Sequence, residues 1–268
     1  MRLISLAAGV LPDESPEAVV EAGAAAGFRA VGLRIDGQDW PATRIAALAR
    51  RIEQLGLIVL DVEVLWIRPG DLDPILLDLA DVAVALDARN LLVVSSDPDA
   101  QATARKFGAI CDRAALGGLP VSLEFGHFSM VHRLADAAAI VAEAGRPNGH
   151  VLIDPLHLSR SLGTPADVAT QPASLFHYAQ FCDAGPQAPA PEDVAAIREE
   201  ALDGRLLPGE GVLPLQPLLQ LLPPALPLSV ELRSKALRDG WPDPVARARH
   251  VRQRTEAWLA AHDAAQPA

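Results

Sequence analysis

Four polar side chains with oxygen donors stand at the ends of four successive apolar runs. Glu124 closes VSLE, Asp154 closes VLID, Gln180 falls inside HYAQFCD, and Glu231 closes LSVE. A single Asp or Glu in such a place is usually a cap or one half of a loop ion pair. Four in register make a different pattern, because carboxylates brought together in an apolar setting repel unless a cation or shared protons offset them. A bound divalent metal is the simplest resolution, with oxygen donors from Glu124, Asp154, Glu231 and, on the third run, Gln180 or Asp183. An all-oxygen set favours Mn²⁺ or Mg²⁺ and leaves Zn²⁺ or Co²⁺ open.

Other residues stand close enough in sequence to serve the same place. His157 lies three residues beyond Asp154 and could bond a substrate hydroxyl, orient Asp154, or cap the following segment. Arg233 and Lys235 lie two and four residues beyond Glu231, on one side of an extended strand. There they would hold a phosphate or carboxylate, or form a loop ion pair. Glu63 and Arg34 end earlier runs and are candidates to line the pocket or pair with each other, Trp66 and Phe125 are apolar walls or core residues, and Asp183 is expected to fix the loop that follows it in preference to ligating metal.

To converge, these residues need staves. Eight β-rich runs start at Arg2, Ala30, Leu57, Asn90, Pro120, His150, Phe176 and Leu226, alternating with alanine- and leucine-rich segments of helical period. Ser15 before Pro16 marks a helix start, and Gly27, Gly56 and Gly117 fall where helices should stop. Most starts are roughly 30 residues apart, as in a chain of ~250 residues built from eight strand-helix units. The gap after Phe176 is longer; its prolines and glycines predict a loop elaborated over one face, and LPLQPLLQLL within it reads as a packing helix. Strict alternation requires a parallel sheet, closed or open. AAGVLPDES lacks the glycine-rich turn that an open nucleotide-binding sheet would carry after its first strand. The expected fold is therefore α/β, a single-domain (β/α)8 TIM barrel over residues 1–262 with a short tail at 263–268.

Composition sets the outer bounds. The chain of 268 residues is 50% hydrophobic, enough for a sizeable core, and its net charge of -11 opposes a nucleic-acid surface, which needs clustered Lys and Arg. Cys111 and Cys182 alone signal neither a disulfide framework nor a cysteine zinc site, which fits a reducing cytoplasm. No apolar run reaches the ~18 residues of a membrane helix. The expected partner is a small polyhydroxy molecule, and the acidic, alanine-rich outer helices permit a monomer or a homodimer.

Taken in order, LEFG, LIDPLHLSRS, YAQFCDA, LPGEG and SVEL resemble the xylose isomerase-like TIM barrels, over roughly Arg2 to Leu259. That superfamily includes sugar-phosphate isomerases and epimerases, endonuclease IV and 3-dehydroshikimate dehydratases. The resemblance maps metal ligands onto Glu124, Asp154, Gln180 and Glu231, with Gln180 replacing a more common His. It implies proton abstraction beside a carbonyl through a metal-stabilised enediolate, with Glu124 and Glu231 as catalytic acid and base on opposite sides of the substrate. Arg205, just before LLPGEG, matches a basic position near the mouth. The implied function is an isomerase or epimerase of a sugar, sugar phosphate or inosose. A dehydratase of the 3-dehydroshikimate type is the alternative, and a non-catalytic sugar-binding barrel is a third reading. The acidic charge and the scatter of the seven histidines weigh against a nuclease.

Overall fold

The apolar runs become staves because both of their faces are covered, one by the barrel axis and the other by helices. The computed structural model describes residues 2–36 and 40–263. Its strands are β1 (Ile4–Leu6), β2 (Ala30–Arg34), β3 (Ile58–Ile67), β4 (Leu91–Ser95), β5 (Val121–Glu124), β6 (Gly149–Leu152), β7 (Ala179–Gln180) and β8 (Leu228–Val230). All neighbours are parallel, in the order β6-β5-β4-β3-β2-β1-β8-β7. The ring closes between its two ends through a bridge from Ile153 to Ala179 and a 2.8 Å bond from the Gln180 N–H to the Ile153 carbonyl. This is a single-domain (β/α)8 TIM barrel. Of the tail expected at 263–268, Asp263 ends the last helix and residues 264–268 lie outside the described residues.

The helices are α1 (Pro16–Ala26), α2 (Ala42–Leu55), α3 (Ile75–Ala85), α4 (Ala100–Ala115), α5 (Leu134–Ala144), α6 (Pro155–Arg160), α7 (Pro165–Ala169), α8 (Val194–Asp203), α9 (Leu215–Leu221), α10 (Lys235–Gly240) and α11 (Pro244–Asp263). Their ends follow local chemistry. Ser15 accepts the Ala18 N–H at the start of α1, and Gly27 closes that helix at φ 85°, where a side chain would be strained. The main core lies between staves and helices, with Val31, Leu33, Val62, Val93, Leu123 and Val151 essentially inaccessible. Burying each such side chain contributes about 1.5–3 kcal/mol. A second, smaller cluster of Ala30, Leu60, Leu92, Leu152 and Tyr178 fills the axis.

Two features differ from the sequence expectation. The stave expected from Phe176 to Cys182 contributes only Ala179 and Gln180 to the ladder. Ala173–Leu175 closes a 3₁₀ turn, and His177 turns to share a 2.6 Å hydrogen bond with Asn90. On β3 the register shifts beside Gly32, and Asp61 becomes wholly buried against it; a Cβ at Gly32 would lie 2.9 Å from Asp61 Oδ2. The long segment after β7 does fold over one end of the barrel, carrying α8. Leu215, Leu218 and Leu219 of α9 are buried, as a packing helix requires. No helix among the described residues is long and apolar enough to cross a membrane.

Candidate active site

Because side chains alternate along each stave, the residues that end β5, β6, β7 and β8 meet above the axis. Glu124 is the last residue of β5 and Gln180 the last of β7. Asp154 follows β6, where its Oδ1 caps α6 by accepting the Leu156 N–H at 2.7 Å. Glu231 follows β8. Glu124, Gln180 and Glu231 line a cavity of about 280 Å³, shared with Arg34, Glu63, Trp66, Phe128, His157, Arg198, Arg205 and Arg233. Asp154 lies behind them, its side chain fully buried. The cavity is deep enough at Glu231 that only glycine fits beside it: a Cβ at Gly9 would stand 2.2 Å from Glu231 Oε1.

The inner wall concentrates charge. His157 Nε2 lies 3.7 Å from Asp154 Oδ2 and 3.8 Å from Glu124 Oε1. One ligand atom from each of these three buried residues lies within 4.8 Å of the other two. The side-chain amide of Gln180 closes the group, 2.8 Å from Asp154 Oδ2 and 3.0 Å from Glu124 Oε1. With its nitrogen turned inward the amide donates to both carboxylates. With its oxygen inward, three oxygens face one another and a cation is needed between them. Arg205 balances part of this charge, donating from Nη1 to Asp154 Oδ2 at 2.6 Å. Its Nη2 lies 3.3 Å from His157 Nε2. A guanidinium can only donate, so in that bond the Nε2 lone pair is free of a proton and Nδ1 carries it.

The acids respond unequally. Burial raises Glu124 well above the usual carboxylate range, with Asp154 adding to the rise and Arg205 opposing it. At Asp154 burial pulls the same way and is the largest single influence, but the Arg205 guanidinium, His157 and the Leu156 N–H together outweigh it and the net shift is downward. Burial also raises Glu231, against Arg205 and Arg233; Arg233 Nε is 3.6 Å from Glu231 Oε1, and Oε2 is buried with no hydrogen-bond partner. Burial lowers His157 to about 4, with Arg205 and Arg160 helping and Asp154 opposing, so the imidazole is neutral at neutral pH. A neutral imidazole, two carboxylates and an amide oxygen around one point fit a divalent cation; Glu231, expected from sequence as a fourth ligand, lines the same cavity but stands outside the group of ligand atoms formed by Glu124, Asp154 and His157.

The sequence candidates divide as follows. Glu124, Gln180, Glu231, His157, Arg205, Arg233, Glu63 and Trp66 share the cavity, with Asp154 directly behind. His157, read from sequence as a substrate contact or cap, also stands among the candidate ligand atoms. Lys235 does not join Arg233: the stave ends at Val230, Lys235 opens α10, and its amine pairs with Asp239 in solvent. Phe125 points the other way from Glu124 and is buried in the main core, so the apolar wall beside Trp66 is Phe128, 6.2 Å away edge-on and 4.5 Å from the His157 ring. Asp183 fixes its loop by accepting the N–H groups of Ala184, Gly209 and Leu213. Arg198, on α8, was missed because nothing local links a helix in the long segment to the mouth.

No curated protein matches the chain. Solved structures resemble it in fold. With the IolI protein, described with a bound zinc atom, the TM-score is 0.78 at 14% identity over 98% of each chain. With an L-ribulose 3-epimerase it is 0.73 at 18% identity, covering 98% of this chain and 96% of that one. With a xylose isomerase-like TIM barrel/4-hydroxyphenylpyruvate dioxygenase fusion protein it is 0.73 at 19% identity, and 99% of this chain spans 45% of that one. A family model described as Xylose isomerase-like TIM barrel matches residues 20–255, most of the barrel just described. On that match and on its eight-stave architecture, the chain belongs to the Xylose isomerase-like TIM barrel family.

Proposed function

We propose that the cavity is the active site of a divalent-metal-dependent isomerase or epimerase acting on a small polyhydroxy carbonyl compound. The observation that carries this reading is the convergence of Glu124, Asp154, His157 and Gln180 on one buried point, with Glu231 on the adjoining wall. Glu124, Asp154, Gln180 and Glu231 would hold the cation, with His157 Nε2 as a neighbouring donor. When bound, the cation would supply Lewis acidity that lowers the acidity barrier of a C–H next to a carbonyl. An imidazole beside the oxygens widens the expected metals from Mn²⁺ and Mg²⁺ to Zn²⁺ and Co²⁺. The zinc of the IolI structure and the activity named for the epimerase agree with this reading.

The chain's own residues divide the remaining work. Glu124 and Glu231, both buried and both raised by that burial, are the groups placed to take up and return a proton. Trp66 and Phe128 give an apolar wall that excludes water from the reacting carbon. Arg205 holds Asp154 ionised, while Glu63 and His157 offer hydrogen bonds to substrate hydroxyls. The test is solvent deuterium incorporation into keto-sugars, inososes and 3-dehydroshikimate with Mn²⁺, Mg²⁺, Co²⁺ or Zn²⁺ added. Exchange without new ultraviolet absorbance supports the isomerase reading. A new conjugated absorbance would replace it with the dehydratase. Binding without any exchange would leave a sugar-binding barrel.

A further inference from the structure

The charge of the cavity does not end with the ligand set. Four arginines line it: Arg34 at the end of β2, Arg198 on α8, Arg205 after α8, and Arg233 after β8. Arg205 is committed to Asp154. Arg233 makes only a long 3.6 Å approach to Glu231. Arg34 and Arg198 are solvent-exposed, and among the described residues neither has a carboxylate within ion-pair distance. Elsewhere arginines such as Arg44, Arg51, Arg113, Arg146 and Arg160 pair with nearby acids; Arg34 and Arg198 stand apart because they share one concave site with a third guanidinium, Arg233.

The balance follows from the proposed reading of the site, on which this step rests. The carboxylates Glu124, Asp154 and Glu231 are offset by a divalent cation together with Arg205. Glu63 is then left with Arg34 and Arg233 acting on it, and Arg198 lines the same cavity. Both Arg34 and Arg233 act on Glu63 and on Glu231, which places those two guanidinium groups in the same part of the cavity. A surplus of guanidinium groups at the mouth of a concave site favours a ligand that brings negative charge, and the planar forked donors suit two oxygens at once.

We propose that Arg34, Arg198 and Arg233 form a subsite for an oxyanion carried by the substrate, either a phosphate or a carboxylate, so that the substrate is an anionic polyhydroxy carbonyl compound and not a neutral sugar. The oxyanion sits at the mouth, and the carbonyl end reaches inward between Trp66 and Phe128 to the ligand set.

Non-reacting polyols test the subsite apart from the chemistry. Binding of sorbitol, sorbitol 6-phosphate and gluconate to the Mn²⁺-loaded protein is measured by calorimetry, in the wild type and in an Arg34→Gln, Arg198→Gln double variant. Both positions are exposed, and circular dichroism checks that the variant is folded. At least one anion is expected to bind about tenfold or more tightly than sorbitol, the gain of a charge-assisted bidentate contact. Whichever of the two gains identifies the source as phosphate or carboxylate. That preference should collapse toward one in the double variant and shrink in the wild type as salt is raised. Equal binding of all three polyols overturns the subsite. So does an anion preference that survives in the double variant, which would mean that the anion ligates the metal directly. Deuterium exchange is scored separately: anion preference without exchange leaves the subsite standing and removes the isomerase, and exchange without anion preference does the reverse.

Discussion

Arg205 Nη1 meets Asp154 Oδ2 at 2.6 Å with both side chains buried, so the acid behind the cavity wall is the one whose charge is balanced by a close guanidinium. Glu124 and Glu231 have no comparable partner and their protons are held more tightly. On the proposed reading, Asp154 serves as the ionised ligand while Glu124 and Glu231, raised by burial, carry the proton transfers.

Removing the guanidinium should expose this division. Arg205→Met leaves Asp154 buried and unpaired, a change that costs roughly 3–5 kcal/mol. The folded Asp154 carboxyl lies below its unfolded value, so its contribution to stability is present above about pH 4 and is lost as pH falls through the folded value. The variant should have a lower melting temperature at pH 7 than the wild type, with the gap narrowing toward pH 3. Excess Mn²⁺ should recover part of the loss at pH 7, because a cation can replace the missing charge. A gap that is constant with pH would show that Asp154 is not held ionised by Arg205.

Much of this arrangement is written locally in the chain. Glu124, Asp154 and Glu231 could be read because each ends an apolar run whose alternation fixes its direction, and the closed topology then brings distant runs together. For Phe125 the same alternation selects core packing over the apolar wall: as the neighbour of an inward Glu124 it points outward, into the helix layer. Arg198 and Phe128 carry no such signal, since they belong to segments whose path over the mouth is set by tertiary packing. Asp61 was legible in part. It interrupts the apolar run IVLDVEV two residues before Glu63, but its complete burial depends on a register shift beside Gly32 that no local pattern announces.

Gln180 decides how the oxygens are shared. With its amide nitrogen inward it satisfies Glu124 and Asp154 without metal, and with the oxygen inward it becomes a ligand. On the proposed reading, rotation of this one amide would couple metal binding to the hydrogen-bond pattern. Gln180→His should shift preference toward Zn²⁺ by supplying a second imidazole, and Gln180→Ala should weaken Mn²⁺ binding by about 10- to 100-fold. Competition against a chelating dye measures both. Unchanged affinity in Gln180→Ala would place the cation away from β7.

Glu231 has one buried oxygen without a partner and one beside Arg233. If it moves a proton, Glu231→Gln should reduce deuterium exchange by at least about 10²-fold, the usual contribution of a positioned acid or base. The amide preserves size, so the melting temperature should stay at or above that of the wild type, since an acid raised by burial becomes a neutral group. Exchange at the wild-type rate would remove Glu231 from the mechanism.

Asp61 lies beneath the site inside the barrel, where Ser229 Oγ donates to its Oδ1 at 3.1 Å and Oδ2 has no partner. Burial pushes this carboxyl up to about 7, with the Ser229 bond opposing and the charge of Glu231 adding to the rise. The unfolded value is about 3.9, so the folded protein holds the proton more tightly. Stability must then fall as pH rises between about 4 and 7, by up to about 1.4 kcal/mol for each unit over which only the unfolded chain is ionised. Above the folded value the penalty is complete and constant. Glu63, raised to about 8 by burial with help from Glu231 and Asp61, pulls in the same direction. Asp61→Asn keeps an acceptor for Ser229 and removes the titration, so its stability relative to the wild type should increase steadily from pH 4 to pH 7. The Glu63 contribution should remain in both proteins. Thermal melts of the metal-free wild type and variant at pH 4, 5, 6, 7 and 8 would show this as diverging curves. Parallel curves would mean that Asp61 keeps the same proton occupancy folded and unfolded, and that its burial is offset by a partner the hydrogen-bond pattern does not contain.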